Sequence, residues 1–150
     1  MLTHEYETVV ILRPDLDDAE TREHVEKLEQ IIADNSGTML LKDEWGKRKL
    51  AYAIDNHLKG HYVLYNFLGP ASAIDEIERR IRINDRIIRF MTIKLEDNVD
   101  IPAKVANAAE VQAKRDEEAR IRAEQEAERA AADAENNKAE DNASSNAGKE

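Results

Sequence analysis

Along residues 1–100 the spacing of apolar positions switches between a strand-like and a helix-like period, with turn residues at the switches. Tyr6 to Leu12 is rich in β-branched residues and stops at Arg13-Pro14-Asp15, where proline cannot continue a ladder and the aspartates can open a helix. Asp17 with Glu20 has the form of a capping box, and Thr21, Val25, Leu28 and Ile32 follow at helical spacing until Asn35-Ser36-Gly37. Thr38 to Leu41 and Lys49 to Ile54 predict a second strand, long and broken near Trp45-Gly46. Asp55 to Gly60 predicts the turn into a third strand, His61 to Leu68, so these two form a hairpin. After Gly69-Pro70, Ser72 is predicted to cap a helix with Ile74, Ile77 and Ile81 on one face. Asn84-Asp85 ends it, and Arg86 to Leu95 supplies the last strand.

The order β-α-β-β-α-β predicts an α+β fold of the ferredoxin-like kind, with two helices on one face of a four-stranded antiparallel sheet. The other face stays open. Yet Thr8-Val9-Val10-Ile11-Leu12 and Ile87-Ile88-Arg89-Phe90-Met91-Thr92-Ile93 lack the clean apolar and polar alternation of a solvated face. A protein partner is therefore expected to cover it.

Aromatic and large aliphatic residues thin out after Ile101, which predicts a domain over residues 1–100 and a charged, Ala/Glu-rich tail over 101–150. Asp116 with Arg120 and Glu118 with Arg122 stand at helical spacing and would support a fluctuating helix. No apolar stripe can bury it, so solvated disorder is expected. The chain contains 0 cysteines, which excludes disulfides, thiolate metal sites and a cysteine nucleophile. The Met1 end has neither the basic region nor the long apolar run of a signal peptide, and nothing approaches a membrane span, so a cytoplasmic protein is expected.

Charge sharpens this picture through its local arrangement. The net charge is -10, with 14 Lys and Arg against 20 Asp and Glu in residues 1–100 and 8 against 12 in the rest. Even so, Lys47-Arg48-Lys49 runs straight into the alternation of Leu50, Tyr52 and Ile54, which predicts a basic sheet edge able to bind phosphate. A second concentration holds Arg79, Arg80, Arg82, Arg86, Arg89 and Lys94. Its first three members would be favoured near a helix C-terminus with or without a ligand.

Catalytic and cofactor readings find little support. Lys59-Gly60-His61-Tyr62-Val63 superficially matches an RNA-recognition signature, but the stacking positions would hold His61 and Val63, so Tyr62 and Tyr65 read as packing residues. Gly60 and a turn separate His57 from His61, which removes the helical face that would join them on a metal. With 5 glycines there is no nucleotide-binding fingerprint. Arg13 is the arginine an acylphosphatase-type enzyme would need after its first strand, but the anion cradle is missing. No cofactor is expected. The competing readings are an RNA-binding structural protein, a ferredoxin-like regulatory or small-ligand domain, and that enzyme.

Taken together, Tyr6-Glu7, Pro14, the run from Trp45 to Ile54, Gly60-His61-Tyr62 and the run Ile83-Asn84-Asp85-Arg86-Ile87-Ile88-Arg89-Phe90-Met91 resemble the bacterial small-subunit ribosomal protein S-six family over residues 3–96. The resemblance implies a non-catalytic domain that binds the central domain of small-subunit ribosomal RNA as a heterodimer with ribosomal protein S-eighteen. It assigns RNA contact to Lys47, Arg48, Lys49, Arg86, Arg89 and Lys94, with His4 and Tyr6, and partner contact to Val9, Ile11, Met91 and Ile93.

Overall fold

The computed structural model describes residues 2–146, with side chains as far as Ala132. The elements run β1 (Thr3–Leu12), α1 (Asp18–Asp34), β2 (Thr38–Ile54), β3 (His57–Pro70), α2 (Ala71–Arg82), β4 (Ile87–Glu96) and α3 (Ile101–Asn146). The strands form one antiparallel sheet in the order β2-β3-β1-β4, so the expected β-α-β-β-α-β arrangement is present with a third helix after it.

Alternation along β1 sets the two faces. Tyr6, Thr8, Val10 and Leu12 turn toward the helices, beside Phe67, Tyr65, Val63 and His61 of β3. Against them pack Val25, Leu28 and Ile32 of α1 and Ala73, Ile77 and Ile81 of α2, forming one buried core. Each large apolar side chain taken fully out of water there contributes about 1.5–3 kcal/mol. Asp17 caps α1 as its spacing predicts, accepting from the Glu20 amide at 2.7 Å while the Glu20 carboxylate accepts from the Asp17 amide at 3.2 Å. The Tyr65 hydroxyl donates to the Val25 carbonyl at 3.3 Å and ties α1 to the sheet.

Local details depart from expectation in three places. The hairpin turn is two residues, Asp55 and Asn56, with φ of 47° and 64°, so β3 begins at His57 and not at His61. Adjacent left-handed residues match the twist of the flanking strands, and Asp and Asn tolerate that conformation. The N-cap of α2 is Pro70, which offers no side-chain hydrogen bond, and Ser72 lies inside the helix. Here β3 runs directly into the helix through Pro70, whose φ of -73° already suits a helix entry.

Third, the tail forms a helix from Ile101 to Asn146 where a disordered or partly helical segment was expected. Pro102 sits in its first turn, and an Ala-rich run without glycine or proline follows through Asn146, which favours helix over coil. Among the described residues, Gln112 pairs with Asp116 and Arg120 with Glu117 along it, while neither Asp116 with Arg120 nor Glu118 with Arg122 forms an ion pair. Residues 147–150 of the expected tail lie outside the described residues. The chain divides into two compact units, one over Met1–Ala109 and one from Glu110 onward that continues α3. No helix among the described residues is long and apolar enough to cross a membrane.

Candidate nucleic-acid and partner interface

The face of the sheet away from the helices carries Glu7, Val9 and Ile11 of β1, with Ile93, Met91 and Arg89 opposite on β4 and Asn66, Leu64 and Tyr62 opposite on β3. Met91 is 60 % exposed and Ile93 41 %, so an apolar surface lies uncovered in the free chain. Ile11 differs: it shares this face but is only 9 % exposed.

The β2–β3 hairpin explains that burial. β1 stops at Leu12 opposite His61, while β2 and β3 continue to Ile54 and His57 as a two-stranded arm. A bulge between Glu44 and Gly46, where Gly46 takes a φ of +76° that a side chain would strain, lets β2 twist away from the flat ladder. The arm then lies back against the open face. Gly60 meets Ile11 so closely that a Cβ at residue 60 would collide with the Ile11 Cγ2 methyl, and Leu50 is buried beside them. The Arg89 guanidinium donates to the Tyr52 hydroxyl at 2.7 Å, which brings one outer strand into contact with the other.

This fold-back creates a depression of about 650 Å³ lined by Val9, Ile11, Trp45, Tyr62, Arg89 and Met91. Trp45 and Tyr62 stack with centroids 6.0 Å apart and planes 19° from parallel. The Arg48 guanidinium lies 5.3 Å from the Trp45 ring centroid, a cation–π distance. Trp45, Leu50, Tyr52 and Tyr62 were therefore missed as members of this face. The alternation of Leu50 and Tyr52 carried part of the signal, but nothing local shows that the arm bends back.

At the other end of the open face, Lys104 of α3 bonds to Glu5 at 2.6 Å and Glu96 at 2.5 Å. Burial alone would raise the Glu5 carboxyl, yet the hydrogen bonds from Lys104 and Asn66 and the Lys104 charge outweigh it, so the group sits below the ordinary carboxylate value. The apolar surface is thus bounded by an ion-pair network at one end and a cationic, aromatic arm at the other.

The sequence-predicted cations are distributed unequally around it. Lys47, Arg48 and Lys49 stand opposite His61, Gly60 and Lys59, so alternation divides the triplet: Arg48 joins the open face and the two lysines point the other way. Arg86 precedes β4, 3.7 Å from Asp85, and Arg89 reaches the depression. Lys94 lies on the Tyr6 side of β4, five β1 residues and about 16 Å from the Arg89 pair. It is bound to Asp97 at 2.8 Å, and that hydrogen bond and charge hold the ammonium pKa up. The His4 Nδ1 atom is 2.9 Å from the same carboxylate. Tyr6 is 6 % exposed and stacks on Phe67 in the core, so its ring is not available to a base. On α2, Arg79 and Arg80 share Glu76, whose carboxyl is lowered to about 2 by their hydrogen bonds, and Arg82 lies over Phe90. Among the described residues, no cluster of three or more His, Asp or Glu is arranged to hold a metal.

A family profile described as ribosomal protein S6 matches residues 5–94. The small ribosomal subunit protein bS6 of Desulfitobacterium hafniense is 42 % identical over 92 residues, which covers 61 % of this chain and 97 % of that one. The protein of the same name from Synechocystis is 41 % identical over 113 residues, covering 75 % of this chain and all of the relative. The crystal structure of 30S ribosomal protein S6 from Thermotoga maritima superposes with a TM-score of 0.61 at 28 % identity, over 62 % of this chain and 88 % of that one. A helix-backed antiparallel sheet with an uncovered apolar face, a cationic hairpin arm, and a match running from the first strand to the last together establish that this chain belongs to the ribosomal protein S6 family of the small ribosomal subunit.

Proposed function

We propose that the chain is a structural, non-catalytic constituent of the small subunit that binds the central domain of small-subunit ribosomal RNA together with ribosomal protein S-eighteen. Family membership places it in the ribosome and hence in the cytoplasm. The observation that carries the finer reading is the open sheet face, an apolar depression with exposed Met91 and Ile93 beside it and two guanidinium groups at its rim.

An acidic chain of net charge -10 binds a polyanion weakly by itself, because its own field opposes approach. A basic partner seated over Val9, Met91 and Ile93 buries their apolar surface, with Ile11 beneath, and enlarges the cationic area presented to phosphates. Counterion release then favours RNA binding by the pair over either protein alone. In this reading Arg86 and Arg89 reach RNA beside the partner, His4 and Lys94 at the far end of β4, and the arm through its basic residues. Tyr6 supports the sheet from within.

A gel shift with a central-domain fragment of small-subunit ribosomal RNA, run with the chain alone and with S-eighteen at two salt concentrations, tests this. Salt-sensitive binding that is tight only with the partner is expected. Equal binding with and without the partner would reject the cooperative reading.

A further inference from the structure

We infer that the hairpin arm has two separate jobs, one on each face: Lys47, Lys49 and Lys59, turned away from the aromatic depression, form a phosphate-binding comb for an RNA backbone, while Arg48 serves the open face. The inference rests on the RNA-binding reading above and adds to it a residue, Lys59, and a direction of approach.

The register carries the argument. Lys49 stands directly opposite Lys59, and Lys47 follows two residues along β2 on the same face. Like charges directly opposite across a ladder destabilise it, so this arrangement is unfavourable for the free chain. All three lysines are exposed, and among the described residues none forms an ion pair. Other lysines contrast with them: Lys42 is bonded to Glu29, Lys94 to Asp97 and Lys104 to Glu5 and Glu96. A chain with 32 acidic residues therefore leaves these three exposed lysines without an ion pair among the described residues.

Geometry suits a polyanion. Same-face residues on a strand are about 6.6 Å apart, comparable to successive phosphates along a nucleic-acid strand. The arm extends past the end of β1 and rests its Gly60 and Tyr52 side on the open face, so the side that carries the exposed lysines is left for a backbone to approach. Arg48 lies between the two β2 lysines in sequence but is held over Trp45 on the opposite face. A protein partner on one side and RNA on the other can thus use the arm at once.

The test compares the full chain with K47Q/K49Q/K59Q, K59Q and K59R, each with S-eighteen, on the central-domain RNA fragment across a salt series. Losing three phosphate contacts should reduce the slope of log affinity against log salt by about 2–3, and K59Q alone by roughly 0.7–0.9, while K59R keeps the slope. Calorimetric affinity for S-eighteen without RNA should not change, and the thermal midpoint should hold or rise as the repulsion is relieved. An unchanged slope in the triple variant, as expected of lysines that only protect a strand edge from aggregation, would overturn the comb. So would loss of S-eighteen affinity in that variant. Failure of the unsubstituted chain to bind RNA under any condition would overturn the RNA reading itself.

Discussion

Replacing Met91 by alanine separates partner binding from folding. The side chain lies on the open face beside Val9 and is 60 % exposed in the free chain. Full burial of a methionine side chain contributes about 1.5–3 kcal/mol, so a partner that covers the exposed part gains roughly 1–2 kcal/mol from it. Met91→Ala should raise the dissociation constant for S-eighteen about 5- to 30-fold, since about 1.4 kcal/mol corresponds to a factor of ten. The stability of the free chain should change by less than about 0.5 kcal/mol, because most of the removed surface was already in water. Leu12→Ala is the contrasting control: Leu12 is fully buried among the helices, and its truncation should cost about 2–5 kcal/mol of folding stability. Isothermal titration calorimetry reads the first effect and denaturant unfolding the second. Wild-type affinity in Met91→Ala would refute the assignment of this face to the partner, and a core-sized stability loss would refute the placement of Met91 on it.

Three further outcomes follow from the packing and the charges. Gly60→Ala forces a methyl into Ile11 and should cost about 1–3 kcal/mol in denaturant unfolding, with part recovered in the double variant with Ile11→Ala; additive losses would argue against that contact. Tyr65→Phe removes the buried hydroxyl bonded to Val25 and should lower stability by about 0.5–1.5 kcal/mol, whereas an unchanged midpoint would mean the bond contributes nothing net. For Glu76, hydrogen bonds from Arg79 and Arg80 lower the folded carboxyl from 4.5 to about 2. Because the folded value lies below the unfolded one, the stabilisation is present above about pH 4.5 and disappears as pH falls toward 2. An NMR titration of the Glu76 carboxyl with a midpoint near 4.5 would refute the shared pairing.

What the sequence determined by itself was the strands and helices of residues 1–100 and the inward face of α1. The capping residues Asp17 and Glu20 and the helical spacing of Thr21, Val25, Leu28 and Ile32 are local signals, and the buried face of α1 is made of those four residues. The two central runs, around Val10 and Val63, likewise carried enough apolar character to be read as strands. Tertiary structure decided which side of each strand a residue serves. Tyr6 turned inward although its position in the chain suggested a contact, and adjacent Lys47, Arg48 and Lys49 went to opposite faces, because side chains in a strand alternate about a register that only pairing with β3 can set. The depression between Trp45, Tyr62 and Met91 is less local still. It depends on a bulge at Gly46 and on Gly60 admitting Ile11, after which Tyr52 meets Arg89, 37 residues further along the chain. Helix caps and periodicity act within a few residues and survive reading in one dimension; an arm that folds back across a sheet is fixed by contacts between distant residues, and these exist only once the chain is folded.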